Sequence, residues 1–144
     1  MLVGQILKSK VIGEAITIRP DMTVGDAAAL LSVRKIGAVI VATDPERPEG
    51  ILSERDIVRE LGKTGGESLG HHVSDFMTRK LVSCEPTDTA LAVLERMSQG
   101  RFRHMPVMEG DKMIGIVSIG DVVKARLDEL AMENNALEGM IMGH

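Results

Sequence analysis

Two short stretches of the chain combine residue types that can do chemistry at a spacing that repeats. Ser53-Glu54-Arg55-Asp56 and Ser118-Ile119-Gly120-Asp121 each set a carboxylate three residues after a hydroxyl. At the start of a helix that spacing makes a capping box. The hydroxyl accepts the amide proton of the aspartate, and the aspartate carboxylate accepts the amide proton of the serine. Both stretches follow Gly-apolar-apolar (Gly50-Ile51-Leu52 and Gly115-Ile116-Val117), and both precede apolar-periodic residues. The signatures stand 65 residues apart, which makes them an internal repeat.

The other reactive residue types form no second constellation. Gly62-Lys63-Thr64 lacks the earlier glycine that a phosphate loop needs, and it follows a helical pattern rather than a strand. His71, His72, His104, His144 and Cys84 share no metal-ligand spacing. The lone cysteine excludes an internal disulfide framework and reads as a small inert hydrophobe in a buried strand. No nucleophile–base pair or carboxylate dyad emerges, so no catalytic residue and no metal ligand is assigned.

The elements around the signatures must position them. Ala15-Ile16-Thr17-Ile18 alternates as a short strand and stops at Arg19-Pro20. Thr23, with Asp26 three residues on, caps a helix that carries Val24, Ala27, Ala28, Leu30 and Leu31 toward a core and ends at Lys35-Ile36-Gly37. Ala38-Val39-Ile40-Val41 has the length and content of a buried strand, and the first signature helix runs to about Leu61. At an offset of 66 the second half repeats this with Val82-Ser83-Cys84, the cap Thr89, and Arg103-His104-Met105-Pro106-Val107. Each half reads strand, helix, strand, strand, helix. The fold class is α/β (α+β), with two tandem β-α-β-β-α repeats expected to pack about a pseudo-twofold axis, because three strands cannot bury both faces alone. Residues 1–66, including a short apolar-periodic N-terminal segment, form repeat 1. Residues 67–130 form repeat 2, and 131–144 a C-terminal helical extension. The stretch from Gly62 to Glu67 has the composition of a linker.

Composition limits the partners. With 44% apolar residues in 144 the chain can build a core. A net charge of -4 without a basic block argues against nucleic acid, as does an aromatic content of 1%, which leaves only Phe76 and Phe102 on which bases could stack. A planar ligand would have to be held by aliphatic side chains, methionine and backbone. No apolar run approaches membrane-spanning length, so a cytoplasmic protein is expected.

The doubled Gly-apolar-apolar-Ser-x-x-Asp, each copy preceded by strand, Pro, helix and strand, resembles a tandem pair of cystathionine-β-synthase (CBS) domains. The resemblance covers roughly residues 11–62 and 77–130. Arg103 to Val107, Met113 to Val123 and the charged C-terminal helix are similar to stand-alone CBS-pair proteins of bacteria and plant mitochondria. The family resemblance implies a regulatory module that binds adenosine-containing nucleotides (AMP, ATP or NAD(H)) in clefts between the repeats. It implies that Asp56 and Asp121 accept ribose hydroxyls, which suits a carboxylate, and that Ser53 and Ser118, with Gly120, lie at helix N-termini where a phosphate is favoured. It further implies that Thr17 and Ser83 present backbone groups to the adenine edge. Ile51, Ile116, Met105 and Pro106 would cover the ring faces. Arg103 and His104 occupy a phosphate-binding place where repeat 1 has Gly37 and Ala38, so two unequal sites are expected, with Arg55 as a candidate compensating cation.

Three classes of function follow. The first is a non-catalytic sensor, a homodimer that modulates a partner protein when it binds an adenine nucleotide. The second is a ligand-independent scaffold with vestigial clefts that acts through its C-terminal helix, where Leu127, Leu130, Leu137, Met140 and Ile141 are more apolar than an isolated module needs. The third, an enzyme, has no constellation to support it.

Overall fold

The computed structural model of the chain describes residues 1–9 and 16–141, so Ala15 and His144 lie outside it. In repeat 1, β1 (Thr17–Ile18) pairs in parallel with β2 (Ala38–Val41), and α2 (Val24–Arg34) connects them. A short turn then brings β3 (Gly50–Ser53) back antiparallel to β2, and α3 (Glu54–Thr64) follows directly. Thr23 caps α2 by accepting the Asp26 amide proton at 3.2 Å. The helix closes at Lys35, a left-handed residue with φ of 54°, whose N–H turns back to the carbonyls of Leu31 and Ser32.

Repeat 2 follows the same plan. Its first strand is reduced to a single parallel bridge between Cys84 and Val107. Helix α5 (Ala90–Gly100) is capped by Thr89 and closed by left-handed Arg101, the counterpart of Lys35, at φ of 56°. Strands β4 (His104–Glu109) and β5 (Lys112–Ser118) pair through a two-residue turn, and α6 (Ile119–Ile141) follows Ser118.

In both repeats alternate strand residues face a helix-covered core. Ile18, Val39, Val41 and Leu52 join Val24, Ala27, Leu31 and Ile57 in one cluster, while Cys84, Met105, Val107 and Val117 join Ala90, Val93, Met97, Val122 and Ala125 in another. Period-two alternation then turns Thr17, Ala38, Ile40, Ile51 and Ser53 to the other face of the repeat 1 sheet. The equivalents in repeat 2 are Ser83, His104, Pro106, Ile116 and Ser118.

The compact units do not follow the sequence boundaries. The N-terminal segment, expected with repeat 1, is α1 (Val3–Ser9), and it packs with repeat 2. Val3 donates to the carbonyl of Asp88, Gly4 to that of Pro86, and Ala90 to that of Met1, while Val3 and Ile6 enter the repeat 2 core. Conversely α4 (Val73–Phe76), expected with repeat 2, packs with repeat 1. Val73 donates to Met22, Ser74 to Pro20, and Val24 to His71, and Val73 and Phe76 enter the repeat 1 core. The three bonds in one unit correspond one for one to the three in the other, so each unit is a repeat completed by the leader segment of its twin. Burying Val3 and Ile6 contributes about 3–6 kcal/mol to that docking.

The stretch from Gly62 to Glu67 is not a linker. Helix α3 continues to Thr64, and a 3₁₀ helix spans Gly65–Gly70. Ser68 is fully buried, with its hydroxyl against Thr64 Oγ1 and the Glu60 carbonyl. No helix among the described residues is long and apolar enough to cross a membrane.

Candidate functional site

Both Ser-x-x-Asp stretches are capping boxes at a strand-to-helix junction. Ser53 N donates to Asp56 Oδ2 at 2.9 Å, and Asp56 N donates to Ser53 Oγ at 3.2 Å. In repeat 2, Ser118 N reaches Asp121 Oδ2 at 2.9 Å and Asp121 N reaches Ser118 Oγ at 3.1 Å. The first helical amide is also used in both. Glu54 N donates to the Gly37 carbonyl at 2.9 Å, and Ile119 N to the Arg103 carbonyl at 2.7 Å. Of the three amides in each opening turn, one is left without a partner among the described residues: Arg55 N in α3 and Gly120 N in α6. Each helix start thus leaves a single amide available to an anion, and in repeat 1 the Ser53 hydroxyl is already donated to Asp56 Oδ2.

The strand register gathers the remaining residues beside that helix start. Thr17 pairs with Ile40 and Ile40 with Ile51, forming one cross-strand row, and Ala38 pairs with Ser53 in the next. β1 is an edge strand. Ile16 and Ile18 accept from Ile40 N and Ala42 N, so the Thr17 N–H and C=O point off the sheet. In repeat 2 the Cys84 N–H and C=O are bonded to Pro106 and Met108, which leaves those of Ser83 facing outward in the same way. One donor and one acceptor side by side on an open edge, above an apolar row, form a recognition surface for a flat heterocycle.

The two sets differ in electrostatics. Asp56 is only 5% exposed, and its second oxygen accepts from Arg59 Nη2 at 3.0 Å. Both Asp56 oxygens are therefore committed, since Oδ2 also receives the Ser53 hydroxyl at 3.1 Å. The family resemblance gives Asp56 to ribose hydroxyls, whereas in the structure its oxygens serve the helix cap and Arg59. Arg59, three residues along the helix, is the determinant that the motif alone does not display. Asp121 is half-buried, and Lys124 stands at the Arg59 position. Arg55 and Arg103 are exposed, and neither has an ion-pair partner among the described residues. His104 is half-buried on the site face.

Met105 does not cover a ring face. It is fully buried in the repeat 2 core beside Val107, because strand alternation gives it the opposite side from His104 and Pro106. Pro106 is buried on the site face, where Ile40 is its counterpart in repeat 1. Cys84 is also a core residue, and burial pushes its thiol up to about 12, with the negative charge of Asp88 adding to the effect. An open groove of about 530 Å³ runs between α2 and α3. It is lined by Leu31, Lys35, Ile36, Ile57 and Val58, and it takes in Gly37 alone of the anticipated residues. Among the described residues no group of three or more His, Cys, Asp or Glu is placed to hold a metal ion.

Comparison with known proteins matches this geometry to one family. The model of the CBS domain matches residues 3–63 and again 73–128. The mitochondrial CBS domain-containing protein CBSX3 of Arabidopsis thaliana is 34% identical over 148 residues, which cover 98% of this chain and 72% of that protein. A CBS-domain containing protein of Agrobacterium tumefaciens is 42% identical, with a TM-score of 0.83, over 88% of this chain and 99% of its own. The fold is shared more distantly by a CBS domain protein of Pyrobaculum aerophilum complexed with AMP (23% identity, TM-score 0.76, 92% of this chain and 99% of that one). It is also shared by the CBS domain pair of protein MJ0100 in complex with 5′-methylthioadenosine and S-adenosyl-L-methionine (22% identity, TM-score 0.77, 90% of this chain and 98% of that one).

Proposed function

This chain belongs to the CBS-domain family as a tandem pair of repeats, and from that premise we propose that it is a non-catalytic regulatory module that binds an adenosine-containing nucleotide (AMP, ATP or NAD(H)). The observation that carries the reading is the coincidence, in repeat 2, of four features. They are the outward N–H and C=O of Ser83, the apolar Pro106 and Ile116, a helix start with the Ser118 hydroxyl and the Gly120 amide, and Arg103, the last two without a partner among the described residues. Edge donor and acceptor suit a purine, the apolar row its face, and the helix start with a guanidinium suits a phosphate. Two distant relatives of the same fold hold adenosine compounds, which fits this ligand class.

Repeat 1 presents the same frame with a weaker anion site. Gly37 and Ala38 bring no cation, Asp56 is occupied by Arg59, and Arg55 alone supplies charge. The pair therefore holds one stronger and one weaker site. The protein works in the cytoplasm as a homodimer and passes the occupancy of its stronger site to a partner protein. Such a signal requires the ligand to favour one of two states, with a coupling of typically about 1–3 kcal/mol. The engaged Asp56 also favours a second reading, a scaffold whose clefts are vestigial.

Calorimetric titration with AMP, ATP, NAD⁺ and adenosine, after identifying small molecules released from the purified protein, tests the proposal. Saturable binding of one nucleotide near one equivalent is expected. No heat from any of the four, with an empty extract, overturns it in favour of the scaffold.

A further inference from the structure

Helix α6 is longer than the repeat requires. The offset of 65 between the signatures places Thr64, the last residue of α3, opposite Glu129, so residues 130–141 have no counterpart in repeat 1. They extend the helix into solvent. From Leu130 onward every described residue except the half-buried Gly139 is exposed. A single helix of this length with solvent on all sides is marginal by propensity alone and normally owes its stability to a partner.

The apolar residues on it are not scattered. Val123, Leu127, Leu130, Asn134, Leu137 and Ile141 recur at alternating intervals of four and three, which is the a/d seam of a heptad repeat. Val123, Leu130 and Leu137 take the d positions, while Leu127, Asn134 and Ile141 take a. The five apolar members are 38%, 61%, 44%, 57% and 83% exposed for Val123, Leu127, Leu130, Leu137 and Ile141. The body of the unit is packed by a different stripe of the same helix, Val122 and Ala125, which join the repeat 2 core. The seam is thus a second face, apolar and uncovered.

We propose that residues 123–141 of α6 form a two-stranded, parallel, in-register coiled coil with α6 of a second copy of this chain, with Asn134 facing Asn134 across the seam. The asparagine decides the occupant and the orientation. In an antiparallel pair a faces d, so Asn134 would be buried against a leucine, with only the Glu138 carboxylate of its own helix, 3.4 Å from Nδ2, to bond its amide. In a parallel pair slipped by a heptad it would face Leu127 or Ile141. Only the parallel, unslipped pair lets the two amides bond each other, and one polar a position among apolar ones is a known device for setting register and strand number. A different protein would have to supply a matching asparagine at the same level, whereas a second copy does so by symmetry. The rim opposes this arrangement weakly. Glu133 at g and Glu138 at e of the other helix face each other, a solvated like-charge pair that counts for less than two asparagines buried against leucine. The proposal extends the homodimer proposed above by assigning where the copies meet, and it is independent of the nucleotide.

Leu137→Cys tests it, since the natural Cys84 is buried in the core and does not compete. Facing d residues of a parallel coil lie within disulfide reach. Mild oxidation should give a covalent dimer from Leu137→Cys and none from Ala136→Cys, on the outer face. Sedimentation velocity should show Leu130→Glu/Leu137→Glu as a monomer with unchanged CD from the folded body. Glu133→Lys should tighten the dimer several-fold, because the introduced ammonium then meets Glu138 of the other helix; in an antiparallel pair it would meet only its own copy. A dimer that persists in the double glutamate variant, with no Leu137→Cys cross-link, overturns the coil and leaves a homodimer formed elsewhere. A wild-type chain that sediments as a monomer throughout overturns both.

Discussion

Asp56→Ala separates a structural carboxylate from a ligand-binding one. The side chain accepts the Ser53 amide and hydroxyl and the Arg59 guanidinium, and it is almost wholly buried. Removing it leaves the half-buried Ser53 N–H without an acceptor and opens the capping box, together about 1.5–3 kcal/mol. The Arg59 pair adds less, about 0.2–1 kcal/mol, because the arginine is half exposed and screened by solvent. A total of about 2–4 kcal/mol corresponds to a fall in Tm of about 6–15 °C for a chain of this size. Asp121→Ala, at the less buried box, should cost about half as much. The assay is thermal unfolding followed by CD at 222 nm, since the chain has neither Trp nor Tyr to report by fluorescence. Asp56→Asn, which keeps an acceptor, should fall between wild type and alanine. If Asp56→Ala melts within about 2 °C of wild type while losing nucleotide affinity, the assignment of Asp56 to structure is wrong.

Three further outcomes are expected. Arg103→Ala should weaken ATP and AMP about ten-fold by calorimetry and adenosine hardly at all, whereas equal losses would remove its phosphate role. Cys84, held near 12, should resist alkylation at pH 8 in the native protein by about three orders of magnitude relative to an ordinary exposed thiol, and react fully in denaturant; rapid native labelling would contradict its place in the core. The Asp88 carboxylate is held below its usual range chiefly by the Glu85 backbone N–H; burial opposes this, and Arg96 adds to the lowering. Because the folded value is the lower one, its contribution is present above the ordinary carboxylate pKa and is lost as pH falls through the depressed value. Asp88→Asn should therefore lower Tm at pH 7, and the gap to wild type should shrink as pH falls below the ordinary carboxylate range; a constant gap between the two would refute the linkage.

The doubled signature, the caps at Thr23, Ser53, Thr89 and Ser118, and the buried run of β2 are local in sequence, and local patterns display them. What stays hidden is set by contacts at a distance or by elements too short for a period. Helix α4 has four residues and no periodicity to detect. The glycine-rich stretch after α3 looks like a linker because nothing in its composition reveals that Ser68 folds under the helix to reach the Glu60 carbonyl. The engagement of Asp56 depends on Arg59, which lies outside the motif. Met105 is a different case. Alternation along β4 already puts it on the side of Val107, a parity that the adjacent, site-facing Pro106 obscures.

Contacts at the two buried signature glycines show how closely the leader segments fit. A methyl added at Gly50 would lie 2.6 Å from Met77 Sδ and 3.0 Å from the Thr78 carbonyl, and one at Gly115 would lie 2.9 Å from Leu7. Each signature glycine thus receives a segment that belongs, in the chain, to the opposite repeat. For a nascent protein this imposes an order of events. The unit around repeat 1 needs only residues up to about Val82 and the hairpin tip to close, whereas the unit around repeat 2 must recover a helix made at the very start of synthesis. Helix α1 therefore waits, unpartnered, until nearly the whole chain has been made, and closing that long loop slows folding more than it lowers final stability. It also means that repeat 2 cannot be cut out and kept as an autonomous half: a break at residue 82 leaves α1 on the other fragment, so residues 83–144 should regain structure only on mixing with 1–82, whereas 1–82 keeps α4 and the whole repeat 1 core.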